Sequence, residues 1–238
     1  MKLSKIALAI AVVAALMLLV AGPGTRLGLW GFPTGFLLMR WALFAGLGAA
    51  GLALILFVIP KTRAGSATLL AIALLVGLGT AWVPWNGYQT ATSLPFIHDV
   101  TTDTVDPPLF VAVLPIRADA PNPPEYLGEE VAKLQREGYP DIETLVLDTP
   151  PGETFDKALE AAEDMGLEIV AAEPTEGRIE ATATTFWFGF KDDVVVRITA
   201  DGAGSRLDIR SKSRIGGSDV GANAARIRRY ISEIKKNS

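Results

Sequence analysis

The chain has 238 residues, enough for one or two domains, and half of them are apolar; a mean hydropathy of +0.32 sets it apart from an ordinary water-soluble protein. Charge is divided along its length: Met1 to Trp85 hold six Lys/Arg and no Asp or Glu, a net of +6, whereas Asn86 to Ser238 hold 16 basic and 26 acidic residues, a net of −10. The absence of cysteine excludes a disulfide framework, a thiol nucleophile and Cys-ligated metals, and a single histidine excludes a multi-His zinc site within one chain.

The N-terminal third carries the strongest pattern. Ile6 to Ala21, Trp41 to Ile59 and Ala67 to Val83 are uncharged apolar runs of 16, 19 and 17 residues, close to the roughly 20 needed to cross a hydrocarbon core. They predict three transmembrane helices forming an anchor over residues 1–85. The first run also reads as a signal peptide with Lys2 and Lys5 as its n-region. Its end, LLVAGPG, offers no A-x-A site and sets Pro23 where cleavage is hindered, which favours an uncleaved span. With the N-terminus in the cytoplasm, Lys2, Lys5, Lys61 and Arg63 fall inside and Arg26 and Arg40 outside. The positive-inside rule then sends the C-terminal domain to the periplasmic side of a bacterial inner membrane. No ionisable residue lies within any run, which argues for a plain anchor over a proton or ion path. Gly46, Gly48, Gly51, Gly77 and Gly79 are expected to let helices approach closely. The linker Gly22 to Met39, with Leu29, Trp30, Phe32, Phe36 and Leu37, is expected in the membrane interface, as an aromatic belt or a binding groove.

Residues 86–124, rich in Pro, Asp and Thr from Thr92 onward, predict an irregular segment that wraps the domain surface, and residues 125–238 an α+β domain. In chain order it begins with a helix near Glu125 to Glu137, with Leu127, Val131 and Leu134 on one face, and a strand at Thr144 to Leu147. A helix at Glu153 to Met165 follows, burying Phe155, Ala158, Leu159 and Ala162, with Gly166 at its C′ position. Four strands come next: Leu167 to Glu173, Arg178 to Trp187, Lys191 to Thr199 and Ser205 to Arg214. A last helix, N-capped by Ser218, carries the stripe Val220, Ala224, Ile227, Ile231 and Ile234. This β-α-β-β-β-β-α order is that of a two-layer α+β sandwich, an antiparallel sheet with helices packed on one face. The layout is like that of the TATA-binding-protein-like and helix-grip folds, an analogy that carries no function.

Register follows from alternation, because a one-residue slip would turn the core face to water. Tight turns at Phe188-Gly189 and Gly202-Ala203 pair Ile179 with Ile198, Ala181 with Val196 and Ala183 with Val194, then Val196 with Ile209 and Ile198 with Leu207. The other face then lines up Glu180, Arg197 and Asp208 in one row and Thr184, Asp193 and Lys212 in another, with opposite charges alternating.

Three ordered motifs, FIHDVTTDTVDPPLF at Phe96 to Phe110, WFGFKDDVVVRI at Trp187 to Ile198, and GSRLDIRSKSRIGGSDVGANAARIRRY at Gly204 to Tyr230, resemble the bacterial domain-of-unknown-function family numbered 1499. The resemblance spans His98 to Ile234 and implies a domain that stands behind lipoprotein signals or membrane spans. It supplies no catalytic or binding residues and does not reach the three-span anchor.

Chemistry-bearing residues are few. His98 with Asp99 resembles part of a catalytic pair, but general-base catalysis needs a positioned nucleophile, no G-x-S-x-G elbow exists, and a structural or capping histidine is the simpler reading. Asp99, Asp103 and Asp106 offer carboxylates to a calcium ion, but their spacing fits no calcium loop, and Asp and Thr before Pro107-Pro108 are ordinary turn formers. No metal or cofactor is expected. Asn86 to Phe190 carry 5 basic and 20 acidic residues and Lys191 onward 11 basic and 6 acidic; pairing between the halves accounts for that split better than a nucleic-acid surface. The strongest candidate site is an anion-binding corner of Arg210, Arg214, Gly216, Gly217 and Ser218. Arg206, Arg210 and Arg214 alternate on the helix-free face, and the following glycines open a helix whose amides point outward. Against it, Asp219 is placed to take those amides itself, and the arginines are placed to brace the fold. The aromatic tip Phe186 to Phe190 is too apolar for water, with Trp187 expected inward and Phe186 and Phe188 as contacts to a partner or membrane. The expected function is a non-enzymatic, membrane-anchored binding or assembly module of the cell envelope, with the lipid bilayer and an envelope protein or lipid as partners and no nucleic acid. A lipid or small-amphiphile binding domain is the first alternative, a hydrolase the second.

Overall fold

The computed structural model describes residues 3–236; Lys2, one of the charges used for orientation, lies outside them. The chain divides into two units. One holds the residues up to Thr90 together with the hairpin tip Phe186–Gly189, the other residues 91–185 and 190 onward.

In the first unit run α1 (Leu3–Arg26), α2 (Phe32–Val58), the single turn α3 (Pro60–Arg63) and α4 (Ala67–Ser93). Helices α1, α2 and α4 are long and apolar enough to cross a membrane. Their inward faces are small: Ala7, Ala11, Ala14 and Ala21 of α1 and Ala42, Ala49 and Ala53 of α2 are fully buried, while Val13, Leu16, Leu19 and Leu54 face outward. This is the pattern of helices packing through close backbone approach in an apolar solvent. Of the five glycines expected at such contacts, Gly46 and Gly77 make one: a Cβ on either would lie within 2.7 Å of the other's carbonyl oxygen. Gly48, Gly51 and Gly79 face open space. The long interfacial linker is not there. Helix α1 runs through Pro23 to Arg26, and α2 starts at Phe32 with a proline in its first turn, where the missing N–H costs nothing. Five residues remain between them, and Arg40 falls inside α2. Trp30 folds back so that its Nε1–H donates to the Ala21 carbonyl at 3.3 Å.

The second unit contains β1 (Asp99–Thr101), α5 (Glu129–Gly138), β2 (Leu145–Leu147), α6 (Pro151–Asp164), β3 (Glu168–Glu173), β4 (Arg178–Thr184), β5 (Lys191–Asp201), β6 (Gly204–Ser213) and α7 (Ala222–Lys236). The sheet is antiparallel throughout, in the order β1-β6-β5-β4-β3, with β2 also pairing β6. From β2 onward the predicted β-α-β-β-β-β-α order holds, and α6 and α7 cover one face. Ile179, Val194, Val196, Ile198, Leu207 and Ile209 meet Phe155, Ala158, Ala162, Ala224, Ile227 and Tyr230 in one continuous core. Gly166 ends α6 at φ +71, a left-handed C′ position that glycine takes without strain.

The β5–β6 register is as predicted, with Val196 opposite Ile209 and Ile198 opposite Leu207. The β4–β5 register is displaced by two residues: Ile179 faces Val196, Ala181 faces Val194 and Ala183 faces Asp192. The cause is the turn. In place of a two-residue hairpin, a four-residue tip is closed by Thr185 N–H donating to the Phe190 carbonyl and Phe190 N–H to the Thr185 hydroxyl, both at 2.8 Å. A slip of two keeps every side chain on its face, so periodicity could not detect it. Two further expectations change. The first helix of the domain starts at Glu129 and buries Ala132 and Gln135, leaving Leu127 and Leu134 exposed. Strand β1 lies inside the segment expected to be irregular.

Candidate functional site

Alternation along β6 sends Leu207 and Ile209 to the helices and Asp208, Arg210 and Lys212 to the opposite face. Among the described residues no α-helix covers that face. Residues 102–127 do, as a strap with six prolines, at 107, 108, 115, 121, 123 and 124, whose backbone lacks a regular hydrogen-bond ladder. Buried backbone groups need partners, and the sheet's charged side chains provide them.

The centre is Asp99 on β1. Arg210 grips it through Nε (2.9 Å) and Nη2 (2.8 Å), and Lys212 Nζ adds a third bond at 2.9 Å; all three side chains are buried. Further donors go to strap carbonyls: Arg210 to Pro108 (3.2 Å) and Pro124 (2.8 Å), Lys212 to Glu125 (2.6 Å). The Arg210 guanidinium lies 4.8 Å from the ring centre of Phe110 and 5.5 Å from that of Tyr126, a cation between two π-faces. Beside it, Asp193 accepts from Arg214 Nε (2.9 Å) and Nη2 (2.7 Å) and lies 3.2 Å from Arg117 Nη1. Arg214 reaches on to the Ile116 carbonyl and Arg117 to that of Asn122. Four cations thus meet two carboxylates, and strap carbonyls stand where further anions would otherwise be required.

The same logic repeats toward the far edge. Both oxygens of Glu180 accept the backbone N–H groups of Val111, Ala112 and Val113 at 2.9–3.1 Å, and Arg178 pairs with it. Arg197 bonds Asp208 (3.0 Å), Asp103 (3.3 Å) and Asp106 (2.8 Å). Gln135 of α5 closes the outer edge of β1, its amide donating to the Thr101 carbonyl and its oxygen accepting from the Thr101 N–H. Burial has electrostatic consequences. It pushes the Lys212 ammonium and the Arg117 guanidinium below their usual pKa values, with Asp99 and Asp193 respectively opposing the shift. It also raises the Tyr126 phenol to about 12, with Asp99 adding to the effect.

The predicted anion corner is brought together but filled from within. Arg210 and Arg214 are spent on Asp99 and Asp193. The Gly216 carbonyl accepts from Asn122, and the Gly217 carbonyl lies 3.4 Å from His98 Nδ1. Ser218 accepts from the Val220 N–H, one turn before α7. The start of α7 is held by the Asp219 carboxylate, which takes the N–H groups of Gly221 (3.0 Å) and Asn223 (2.6 Å); burial raises its pKa against those bonds. The bracing reading is the one this geometry supports. Asp103 caps Val105 and Asp106 N–H groups, a turn, as its spacing suggested. At the tip, Phe188 is buried and packs edge-on against Phe36 of α2 at 5.2 Å, whereas Phe186 is 91% exposed with Arg26 over its ring.

Sequence reading missed a polar seam on the helix face. Ser211 donates to Asn223, Asn223 to the His98 carbonyl and Ser213, and Arg226 to Ser211, Asn223 and Asp192. The signal was present: Ser211 and Ser213 interrupt an apolar alternation that begins at Leu207.

A two-layer α+β domain with a charged, strapped sheet face, preceded by three apolar helices, is thus the class of protein. Residues 99–234 match the family described as protein of unknown function (DUF1499), and the chain belongs to it. A search of the curated proteins finds no match.

Proposed function

We propose that the chain is a membrane-anchored, non-catalytic binding or assembly module, with the strap as its contact surface. The carrying observation is the two-sidedness of that strap. Its inner side is fixed by the ion pairs of the sheet, while Val105, Leu109, Val111 and Ile116 on its outer side are more than half exposed. An apolar row of this kind, held rigid at its back, has the character of a protein-contact patch. The carboxylates beneath are each engaged with a cation or backbone N–H, which favours a structural role for them over acid–base chemistry. The lysine and arginine distribution around the three helices supports an inner-membrane anchor with the domain in the periplasm.

Purification of the full chain in mild detergent, with co-purifying proteins and lipids identified by mass spectrometry, tests the reading. A stoichiometric protein partner lost on replacing Leu109 and Ile116 with Glu is expected; a partner retained by that variant, or none in the wild type, would overturn it. Reporter fusions after Trp85 that are active only in the cytoplasm would overturn the orientation.

A further inference from the structure

Helix α7 carries three arginines, and two are committed: Arg228 is bidentate to Asp141 at 2.6 and 2.7 Å, and Arg226 is fixed by Asp192 at 2.7 Å. Arg229, exposed on the same helix, has no hydrogen bond or ion pair among the described residues. It borders a hollow of about 280 Å³ where the end of α6, the start of β3, the end of β4 and the first turns of α7 meet. The hollow exists because the residues around it are small. Gly166, Ala183, Ala222 and Ala225 hold back, and the α7 positions 222, 225, 226 and 229 fall on one helical stripe. Met165 and Leu167 give it an apolar wall, Thr184 a hydroxyl, and Arg226 and Arg229 two guanidiniums; no acidic residue lines it.

We propose that this hollow binds a small anionic amphiphile, its oxyanion head held by Arg229 and its apolar body against Met165 and Leu167. The chemistry divides the tasks. Arg226 is held by Ser211, Asn223 and the Asp192 carboxylate and serves as wall, whereas Arg229 offers an unused planar fork, the geometry suited to phosphate or carboxylate. The thioether of Met165 adapts to an apolar body of variable shape. Slightly below the size range of drug-sized ligand pockets, the space suits a head group with a short apolar neighbour. This inference is independent of the strap, which lies on the opposite face of the sheet.

The test uses the full chain in nanodiscs of zwitterionic lipid, titrated calorimetrically with n-butyl phosphate, inorganic phosphate and n-butanol. Saturable binding of butyl phosphate is expected, at least tenfold tighter than of inorganic phosphate or butanol. Arg229→Ala should weaken it at least tenfold, and Ala225→Leu, which fills the hollow from an exposed helix position, should abolish it. Arg228→Ala should leave it unchanged, and an unaltered circular dichroism spectrum confirms that each variant is folded. In nanodiscs of anionic lipid, a fivefold or greater loss of apparent affinity for butyl phosphate would identify the bilayer as the source of the occupant; equal affinity would identify a soluble one. Inorganic phosphate binding as tightly as butyl phosphate overturns the amphiphile, and binding insensitive to both Arg229→Ala and Ala225→Leu overturns the site.

Discussion

On β6, Ile209 and Arg210 are neighbours, both without exposed surface, and they point to opposite sides of the sheet. Ile209 enters an apolar core where any side chain of suitable volume and shape contributes, because burial of hydrocarbon is non-directional. Arg210 enters a layer where it makes four hydrogen bonds to named acceptors, two on Asp99 and one each on Pro108 and Pro124. A buried charge is tolerated only while its partners stay in place. The helix side is therefore expected to fail gradually and globally under substitution, the strap side abruptly and locally.

The sharpest way to break this contrast is at Asp99. Asp99→Ala strands Arg210 and Lys212 in a buried site, a loss of about 3–5 kcal/mol, expected first as lost amide protection in residues 102–127 by hydrogen-exchange mass spectrometry. The triple variant Asp99→Leu, Arg210→Met, Lys212→Met removes the uncompensated charge and should recover part of the loss; no recovery would mean that geometry, not charge, holds the strap. Glu180→Gln comes next. It keeps the shape but removes the charge shared by three backbone N–H groups and Arg178, at about 1.5–3 kcal/mol for charged hydrogen bonds, with exchange increasing at residues 111–113 alone. On the opposite face, Ile209→Val deletes one methyl group at about 0.5–1.5 kcal/mol and should lower protection evenly across β4, β5 and β6, leaving the strap no worse than the rest. A strap-specific response to Ile209→Val would erase the distinction between the two faces.

How much of this was legible follows the same division. Apolar periodicity located the helices, the four meander strands and the core residues Ile179, Val194, Ile209 and Ile227, because a period is a property of the sequence itself. The hairpin register between β4 and β5 was not legible: it depends on the hydrogen bonds between Thr185 and Phe190, and the two-residue slip preserves the pattern. Nor was β1, three residues long, where Asp99 reads as a turn former until its partners on β6 are in view. The charges at Arg210 and Arg214 were visible, and both bracing and anion binding were compatible with them. Only tertiary proximity to Asp99 and Asp193, more than a hundred residues and about twenty residues away respectively, separates the two. Arg229 drew no notice in sequence because its distinction is relational: its neighbours Arg226 and Arg228 have partners.

The smallest expected effect lies at the polar seam on the helix face, at His98, which precedes Asp99 and whose carbonyl accepts from Ser213 and Asn223. Burial lowers its pKa below the ordinary value of 6.5, and the Lys212 charge lowers it further; the Gly217 carbonyl, Asp99 and Asp219 oppose both. The unfolded chain thus takes up the proton at higher pH than the folded one. Stability from this residue is complete above about 6.5 and falls as pH drops through the folded value. Asp219 titrates with the opposite sign, since its raised pKa means that the folded state gains relative stability on protonation, so the raw pH profile mixes two slopes. Comparing wild type with His98→Gln isolates one of them. Because the chain has no other histidine, what separates the two variants' changes in unfolding midpoint between pH 7 and pH 5 belongs to this ring, and His98→Gln should show the shallower decline. Parallel profiles would place His98 in water in the folded state and return the seam to Asn223 and Ser213 alone.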